Sequence, residues 1–441
     1  MISRRSCEVA LGLWICRLAR ILIASMSAFS VHAADYSISG YGTLGVARSD
    51  KSYSYQRFID DAGTFRRDSV GGLQIDASLN NQFGATAQVR VAPASDNDSK
   101  YKATVAWAFA SYRPTNDWLI RIGRQRIPLY LYSQNYDVAA TYDFARLPTE
   151  MYSISPGNEF DGISVGRVWS IASGDFALDG YWGETKVDAR FWLRDGIPTI
   201  QSAGAVFRQI HLKGAGVVGS YRANENVYRL GLHKTVGRRS DGVSLPALYP
   251  FVSLFPGVGY YQVDPSVPGP GIPSVDSIEN TIAAVGIELG LSQGYRVIAE
   301  LARTYVDTRN VQIANASNRG YVSLIKGIDR WTPYVTYAFL RSDLGQRKLY
   351  ASVNGNTVPI IVPGAALINA SQRAGADGAL TFDQRSLAIG TSYSLSATSK
   401  IKAELMRVRI GQVSSFVDAP PGSNIRNQNI NVISLSYSVV F

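Results

Sequence analysis

Residues 431–441 read "NVISLSYSVVF", with Ile433, Leu435, Tyr437, Val439 and Phe441 at every second position and Ser434, Ser436 and Ser438 between them. Period-two alternation places the two sets on opposite faces of a β-strand. In a water-soluble sandwich the apolar face meets a core. In a membrane barrel it meets lipid, and the hydroxyl face meets a wet lumen. One strand fits both, so the decision rests on how the remaining chain is punctuated.

The same alternation recurs in "FGATAQVRV" (83–91), "TVAWAFA" (104–110), "DWLIRI" (117–122), "YRVIAEL" (295–301) and "IKAEL" (401–405). Each has a face with large apolar residues: Phe83, Val89 and Val91; Val105, Trp107 and Phe109; Trp118, Ile120 and Ile122. The opposite face is small, polar or charged. Short polar turns at 80–82, 114–117, 172–174, 223–226, 292–294, 329–330 and 396–399 alternate with longer connections centred near 58, 97, 141, 195, 258, 313, 363 and 420. Seven short turns and eight long loops make 16 strands, with both chain ends on the short-turn side. An even strand count with loops sorted by length between two rims is the layout of a transmembrane antiparallel β-barrel, and a sandwich has no reason to sort its loops this way. Aromatic residues flank the short turns, as an interfacial girdle requires: Tyr112 and Trp118, Tyr221 and Tyr228, Tyr295 and Trp331. The fold class is therefore all-β. "KLYASVNG" and "TVPIIVP" (348–363) leave open two further strands, making 18.

Composition fits this class without selecting it. Outside the first 33 residues no run approaches the roughly 20 apolar residues of a membrane-spanning helix. Mean hydropathy is −0.03, as alternation of lipid-facing and lumen-facing residues produces. Residues 1–33 carry arginines, a short apolar run "ILIASMSAFS" (21–30) and "VHA" (31–33), the pattern of a cleaved secretory signal. Residues 34–441 are then the barrel domain. Cys7 and Cys16 leave with the signal, so a disulfide framework, a thiol enzyme and a zinc–cysteine site are excluded from the mature chain. Four arginines and one glutamate leave too, so the charge falls from +10 to +7, which favours anionic solutes.

The start "YSISGYGTLGV" (36–46), the terminal Phe441 and the 16-strand rhythm resemble Gram-negative outer-membrane porins. The resemblance covers the mature chain as architecture, and as motif its two ends and the third long loop. It implies export by the secretory pathway to the outer membrane of a Gram-negative bacterium, among outer-membrane lipid and lipopolysaccharide. It further implies assembly as a homotrimer, a third loop folded into the lumen, and a C-terminal signal for the barrel-assembly machinery in Tyr437, Val439 and Phe441. A "PEFGG"-type third-loop motif is absent, so the solute range of the enterobacterial members is not carried over.

The third connection, "QRIPLYLYSQNYDVAATYDFARLPTEMYSISPGN" (125–158), brings Asp137, Asp143 and Glu150 together with Arg126, Arg146, Tyr130 and Tyr132. Charge rings at a narrow, poorly screened constriction set ion selectivity. Opposite the loop, lumen phases offer Arg66, Arg90, Arg121, Arg229 and Arg296. Arg407 and Arg409 share the lipid phase of Leu405 unless a bulge near Met406 shifts them. The proline-rich fifth loop, about 237–277, either covers the mouth, latches onto a neighbour or packs on itself.

The expected function is passive diffusion of small hydrophilic solutes and ions through a water-filled, weakly anion-selective channel, with no cofactor, metal, nucleic acid or chemistry. A channel specific for small organic anions is the alternative, supported by the tyrosine-rich third loop. A plugged barrel acting as adhesin or receptor is a third reading. "GYGTLG" (40–45) is formally a G-x-G-x-x-G, but it continues as an alternating strand where a dinucleotide site needs a helix. His211 and His233 lack a nucleophile–base constellation in the sequence, so an enzyme is not expected.

Overall fold

The computed structural model describes residues 35–154, 157–307, 311–313 and 315–441, and the expected signal segment lies outside them. Sixteen antiparallel strands close into one barrel. They are β1 (Asp35–Ser49), β2 (Val70–Ser78), β3 (Phe83–Pro93), β4 (Tyr101–Tyr112), β5 (Trp118–Arg126), β6 (Glu159–Ile171), β7 (Gly174–Leu193) and β8 (Gly204–Ala223). Then follow β9 (Asn226–Arg239), β10 (Ile278–Gly290), β11 (Tyr295–Val306), β12 (Ser317–Lys326), β13 (Trp331–Ser342), β14 (Phe382–Ser396), β15 (Ser399–Ser414) and β16 (Asn429–Val440).

The closing strand answers the reading of 431–441. It pairs with β1 from Tyr41↔Val440 to Ser49↔Val432, and Gly40 and Phe441 exchange backbone hydrogen bonds of 2.9 and 3.0 Å beyond it. A barrel in lipid must pair every strand edge, because the hydrocarbon offers no partner to a free N–H or C=O. Ile433, Leu435 and Tyr437 are exposed on the outside, whereas Ser434, Ser436 and Ser438 are buried on the inside. The exterior is apolar around the barrel: Leu44, Leu73, Ile75, Ile122, Leu230, Leu301, Leu324 and Ile389 are all exposed. An apolar surface of that extent belongs in a bilayer. No helix among the described residues is long and apolar enough to cross a membrane.

The short-turn rim carries the aromatic girdle. Phe83 stacks on Tyr112 at 4.7 Å, Tyr221 on Tyr228 at 6.2 Å, and Trp331 meets Tyr393 at 4.7 Å. At the opposite rim β7 and β8 run 20 residues each, about twice what a tilted strand needs to span the bilayer, so their upper halves stand clear of it.

Eighteen strands are not formed. Lys348–Gly355 lies inside a helix that runs Leu344–Gly355, and a second helix runs Ala365–Gly378. The buried Gln346, Tyr350 and Val353 are spaced four and three apart, a helical stripe rather than a strand face. The fifth loop folds into two two-stranded ribbons. Its Tyr260 and Val267 pack against Val358 and Ile368 of the seventh loop, so it packs on itself and its neighbour.

A second difference lies in β4. The β3–β4 register shifts between Gln88 and Val89, which adds one residue at Ala106. Trp107 and Phe109 then share the face of Ser111, and the exposed Ala108 and Ala110 share the outside with Val105. The alternation in 104–110 misplaces both rings because a bulge reverses the faces beyond it. No register shift falls near Met406, so Arg407 and Arg409 stay outside with Leu405.

Candidate functional site

The third loop (127–158) enters the barrel between β5 and β6 and is pinned there by its own polar backbone. A loop inside a barrel must find partners for its N–H and C=O groups. Its neck is a hydrogen bond of 2.9 Å from Ile127 N to Asn158 O. Arg229 on β9 donates at 2.5 Å to Pro128 O. Leu131 N and the Tyr152 hydroxyl both donate to the Glu300 carboxylate, at 2.7 and 2.5 Å. Lys402 donates to Ala139 O and Phe144 O at 2.5 and 2.9 Å. Tyr334 accepts from Ala145 N and donates to Glu404, both at 2.8 Å.

Aromatic packing completes the seat. Phe144 meets Tyr334 edge-on at 5.3 Å and Tyr321 at 6.3 Å, and Tyr130 meets Tyr152 at 5.4 Å. These rings form one buried cluster with Ile298, Ile325 and Ala338 of β11–β13. The loop therefore lies against the β9–β16 wall.

The loop's charged residues anchor it. Asp143 accepts from Lys400 at 2.7 Å and Ser392 at 3.2 Å and pairs with Arg296, which also holds Glu288 at 3.0 Å. Burial pulls the Asp143 carboxyl upward, but Lys400 and Arg296 outweigh it and hold it below its ordinary range. Asp137 is buried between Arg126 and Arg90, the latter at 3.1 Å, and those guanidinium groups overcome burial to depress it as well. Arg90 also reaches Glu159 at 3.2 Å. Arg146 forks onto Asp68, with Nε at 2.8 Å, and touches Ser434 at 3.2 Å. Tyr130 accepts from Arg319 at 2.6 and 3.0 Å.

Glu150 differs from the expected charge at a constriction. It is 0% exposed and accepts from Gln384 on β14 at 2.8 Å. Burial raises its carboxyl above the ordinary value of 4.5. A carboxyl with no solvent contact presents no charge to a solute. It lies at the head of the four-residue helix Thr149–Tyr152, in the interior between loop and wall. Tyr132 is half-buried against Tyr142, Phe144 and Tyr152.

Above the loop is a cavity of about 700 Å³. Six cations reach it, Arg57, Arg67, Arg90, Arg146, Lys186 and Arg190, against four acids, Asp68, Asp137, Glu159 and Asp188. Its rim is braced by a guanidinium that the sequence reading missed. Arg190 bonds Asp98 of the second loop at 2.9 Å and Asp418 of the eighth at 2.6 Å, while Arg57 of the first loop also binds Asp98. Arg66 lies in the first loop rather than on a wall strand, and donates at 2.6 Å to Asp98 O.

The wall of β2–β8 touches the loop chiefly where Arg90 and Arg126 hold Asp137, and elsewhere carries polar groups of its own. Gln74, Asp76, Thr86 and Gln88 form a hydrogen-bonded patch with distances of 2.6–2.7 Å. Beside it a pocket of about 50 Å³ gathers Trp107, Phe109, Arg121, Gln125, Ser164 and Asp179. The Arg121 guanidinium lies 5.3 Å from the Phe109 ring and makes no ion pair among the described residues. The signal that could have found this pocket is the bulge at Ala106, which the alternation conceals.

The rejected alternatives are visible in place. "GYGTLG" (40–45) is the middle of β1. His211 contacts Glu184 at 3.2 Å and Arg238 at 3.3 Å on the outer face, and His233 is buried beside the Tyr181 hydroxyl at 3.0 Å. No cluster able to hold a metal ion is present among the described residues.

No family model matches the chain and no curated protein matches it by sequence. Solved structures do. OmpTdeltaL8, a loop L8 deletion mutant of the outer membrane protein OmpT of Vibrio cholerae, superposes with a TM-score of 0.51 at 11% identity, covering 93% of this chain and 100% of that one. OprB of Pseudomonas putida gives 0.51 at 9%, covering 92% and 94%. An anion-selective porin from Comamonas acidovorans gives 0.49 at 11%, covering 92% and 100%. At such identities a likeness bears on fold alone. Sixteen strands, a short-turn rim, a long-loop rim and a third loop seated inside give the chain the fold of the outer-membrane porins.

Proposed function

We propose that the protein is an outer-membrane channel for passive diffusion of small hydrophilic solutes, leaning toward anions, in a Gram-negative bacterium. The anion preference is supported by the vestibule, where Arg67 and Lys186 make no ion pair among the described residues while Arg57 and Arg190 are matched by Asp98 and Asp418. Charge of one sign in a cleft with low-dielectric walls raises the local concentration of the opposite ion. Below it Arg121 adds a lumenal cation that makes no ion pair among the described residues, with Asp179 as the acid of the same pocket. The third loop, anchored to β11, β15 and β16 through Asp143 and Arg146 and to β3 and β5 only through Asp137, leaves the rest of the β2–β8 wall as the side along which solutes pass. No covalent step is assigned to any residue, and the gradient supplies the driving force.

The barrel is proposed to assemble as a homotrimer through β1–β5. The exposed outer residues of β3 and β4 include Ala85, Ala87, Ala103, Ala108 and Ala110, a flat face suited to close packing of another subunit. Tyr437, Val439 and Phe441 are proposed as the strand read by the barrel-assembly machinery.

Reconstitution of the mature protein in a planar bilayer under a salt gradient tests the channel. A steady conductance with anion-leaning reversal potential is expected. Folded barrels that insert without conducting would overturn it and leave the loops as the working surface of an adhesin or receptor.

A second reading is favoured by Arg121 beside Phe109 and Trp107. A guanidinium over a ring, with a hydroxyl and amides nearby, suits a small organic carboxylate with a flat body. Saturation of the flux of such an acid, with chloride flux unsaturated, separates a specific channel from a general one.

A further inference from the structure

Two opposite charges share the small pocket on the β2–β8 wall and do not pair. Arg121 on β5 and Asp179 on β7 both line it. Neither side chain makes a hydrogen bond or ion pair among the described residues. The register explains why. Arg121 is level with Ser164 of β6, whereas Asp179 is level with Gly166. The two therefore stand two strands and two residues apart, with β6 between them. At about 4.8 Å per strand and 3.4 Å per residue their Cα atoms are roughly 12 Å apart.

Each charged end is held from behind. The guanidinium lies 5.3 Å from the Phe109 ring of β4, on the side away from Asp179. That cation–π contact keeps it from swinging across β6. The carboxylate lies down over Gly166, where a Cβ would collide with Asp179 Oδ1. The other cation acting on Asp179 is Arg229, and its guanidinium is turned to Pro128 O at 2.5 Å and the Ser220 hydroxyl at 3.5 Å. The floor between the two ends is Ser164 and Gly166, with no large side chain in the gap. Trp107 tilts beside Phe109 at 5.8 Å, and its indole N–H has no partner among the described residues.

We propose that this gap is a binding site for an α-amino acid or a similar zwitterion, with its carboxylate on Arg121 and its ammonium on Asp179. Two charge-assisted hydrogen bonds of about 2.8 Å, joined by the short carbon link of an α-amino acid, bridge ends that do not reach each other. An apolar side chain then lies against Trp107. A simple anion gains Arg121 but is repelled by Asp179, and a simple cation meets the reverse. Only a solute with both charges satisfies both groups, and low-dielectric walls sharpen the difference. The site rests on the reading of a lumen open to solutes, and it narrows the organic-acid channel to acids that also carry an ammonium group.

The test is a saturation-transfer NMR titration of the detergent-solubilised barrel, with empty micelles subtracted, using three ligands that share one ring. They are L-phenylalanine, 3-phenylpropionate, which lacks the ammonium, and 2-phenylethylamine, which lacks the carboxylate. Phenylalanine should bind the wild type at least tenfold more tightly than either analogue. Asp179→Asn should remove its advantage over 3-phenylpropionate, and Arg121→Gln its advantage over 2-phenylethylamine. The three-ligand comparison on the wild type needs no variant, so it decides the matter even where a variant does not fold. Equal affinities for the three ligands would overturn the proposal, as would an Asp179→Asn barrel that keeps the full preference. Chloride conductance in a planar bilayer tests the channel separately. Phenylalanine binding to a barrel that does not conduct supports the site and overturns the channel. Conductance with no phenylalanine binding overturns the site and leaves the channel standing.

Discussion

Glu150 and Asp143 lie seven positions apart in one loop and respond to pH in opposite senses. Burial raises the Glu150 carboxyl, so its contribution to folding is present below its ordinary value of 4.5 and is lost as pH rises through the higher folded value. Glu150→Gln keeps a hydrogen-bonding partner for Gln384 without the charge. It should raise the thermal midpoint at neutral pH and leave it unchanged below 4.5, as measured by circular dichroism across pH. Asp143 is held low by Lys400 and Arg296 despite burial, so its contribution is present above its ordinary value of 3.8 and is lost as pH falls through the lower folded value. Asp143→Asn should cost stability at neutral pH and nothing in strong acid. Arg126→Ala leaves Asp137 buried beside Arg90 alone, a loss of about 3–5 kcal/mol for a broken buried pair. Limited proteolysis cutting at 127–158 in the variant and not in the wild type checks it. Sequence alone marked all these residues as loop charges. It could not tell anchors from pore-lining groups, because the partners of Asp143 and Glu150, namely Arg296, Lys400 and Gln384, are 153 or more residues away on other strands.

At the scale of elements the reading succeeded where alternation was unbroken and failed where one residue was added or the period changed. The serines of β16 face inward as the pattern requires. Trp107 and Phe109 do not follow it, since the bulge at Ala106 turns them toward Arg121. Residues 348–355 look strand-like in composition and are helical because 346, 350 and 353 recur at helical spacing. One glycine shows how a strand seats the loop. Tyr334 lies opposite Gly390 with its ring over the place a Cβ would take, and the same hydroxyl holds Ala145 N and Glu404. Gly390→Leu should push Tyr334 aside while the barrel still closes. The expected result is a folded barrel with noisier single-channel current and faster hydrogen exchange at 139–146. An unchanged exchange pattern would show that the remaining anchors suffice without Tyr334.

For the whole molecule, the sorting of loops by length led to sixteen strands and left eighteen open, and the closed barrel has sixteen. All eight long connections fall where the sequence places them, because turn residues mark every reversal of the chain. What loops do with one another was not legible: Arg190 ties Asp98 to Asp418 across 320 residues of chain. The vestibule that this clamp helps shape yields the prediction most specific to the assembled barrel. If anion preference comes from the summed field of its cations, it must weaken as salt screens that field, since the screening length falls from about 10 Å at 0.1 M to about 3 Å at 1 M. Reversal potential measured at a fixed salt ratio should therefore lean to anions in dilute salt and approach the bulk mobility ratio in concentrated salt. Arg121 makes a separable contribution from close range, so Arg121→Gln should lower the residual preference at high salt more than the preference at low salt. A preference that holds constant over this range in the wild type would place selectivity in direct contacts along the β2–β8 wall and leave the vestibule without influence on which ion passes.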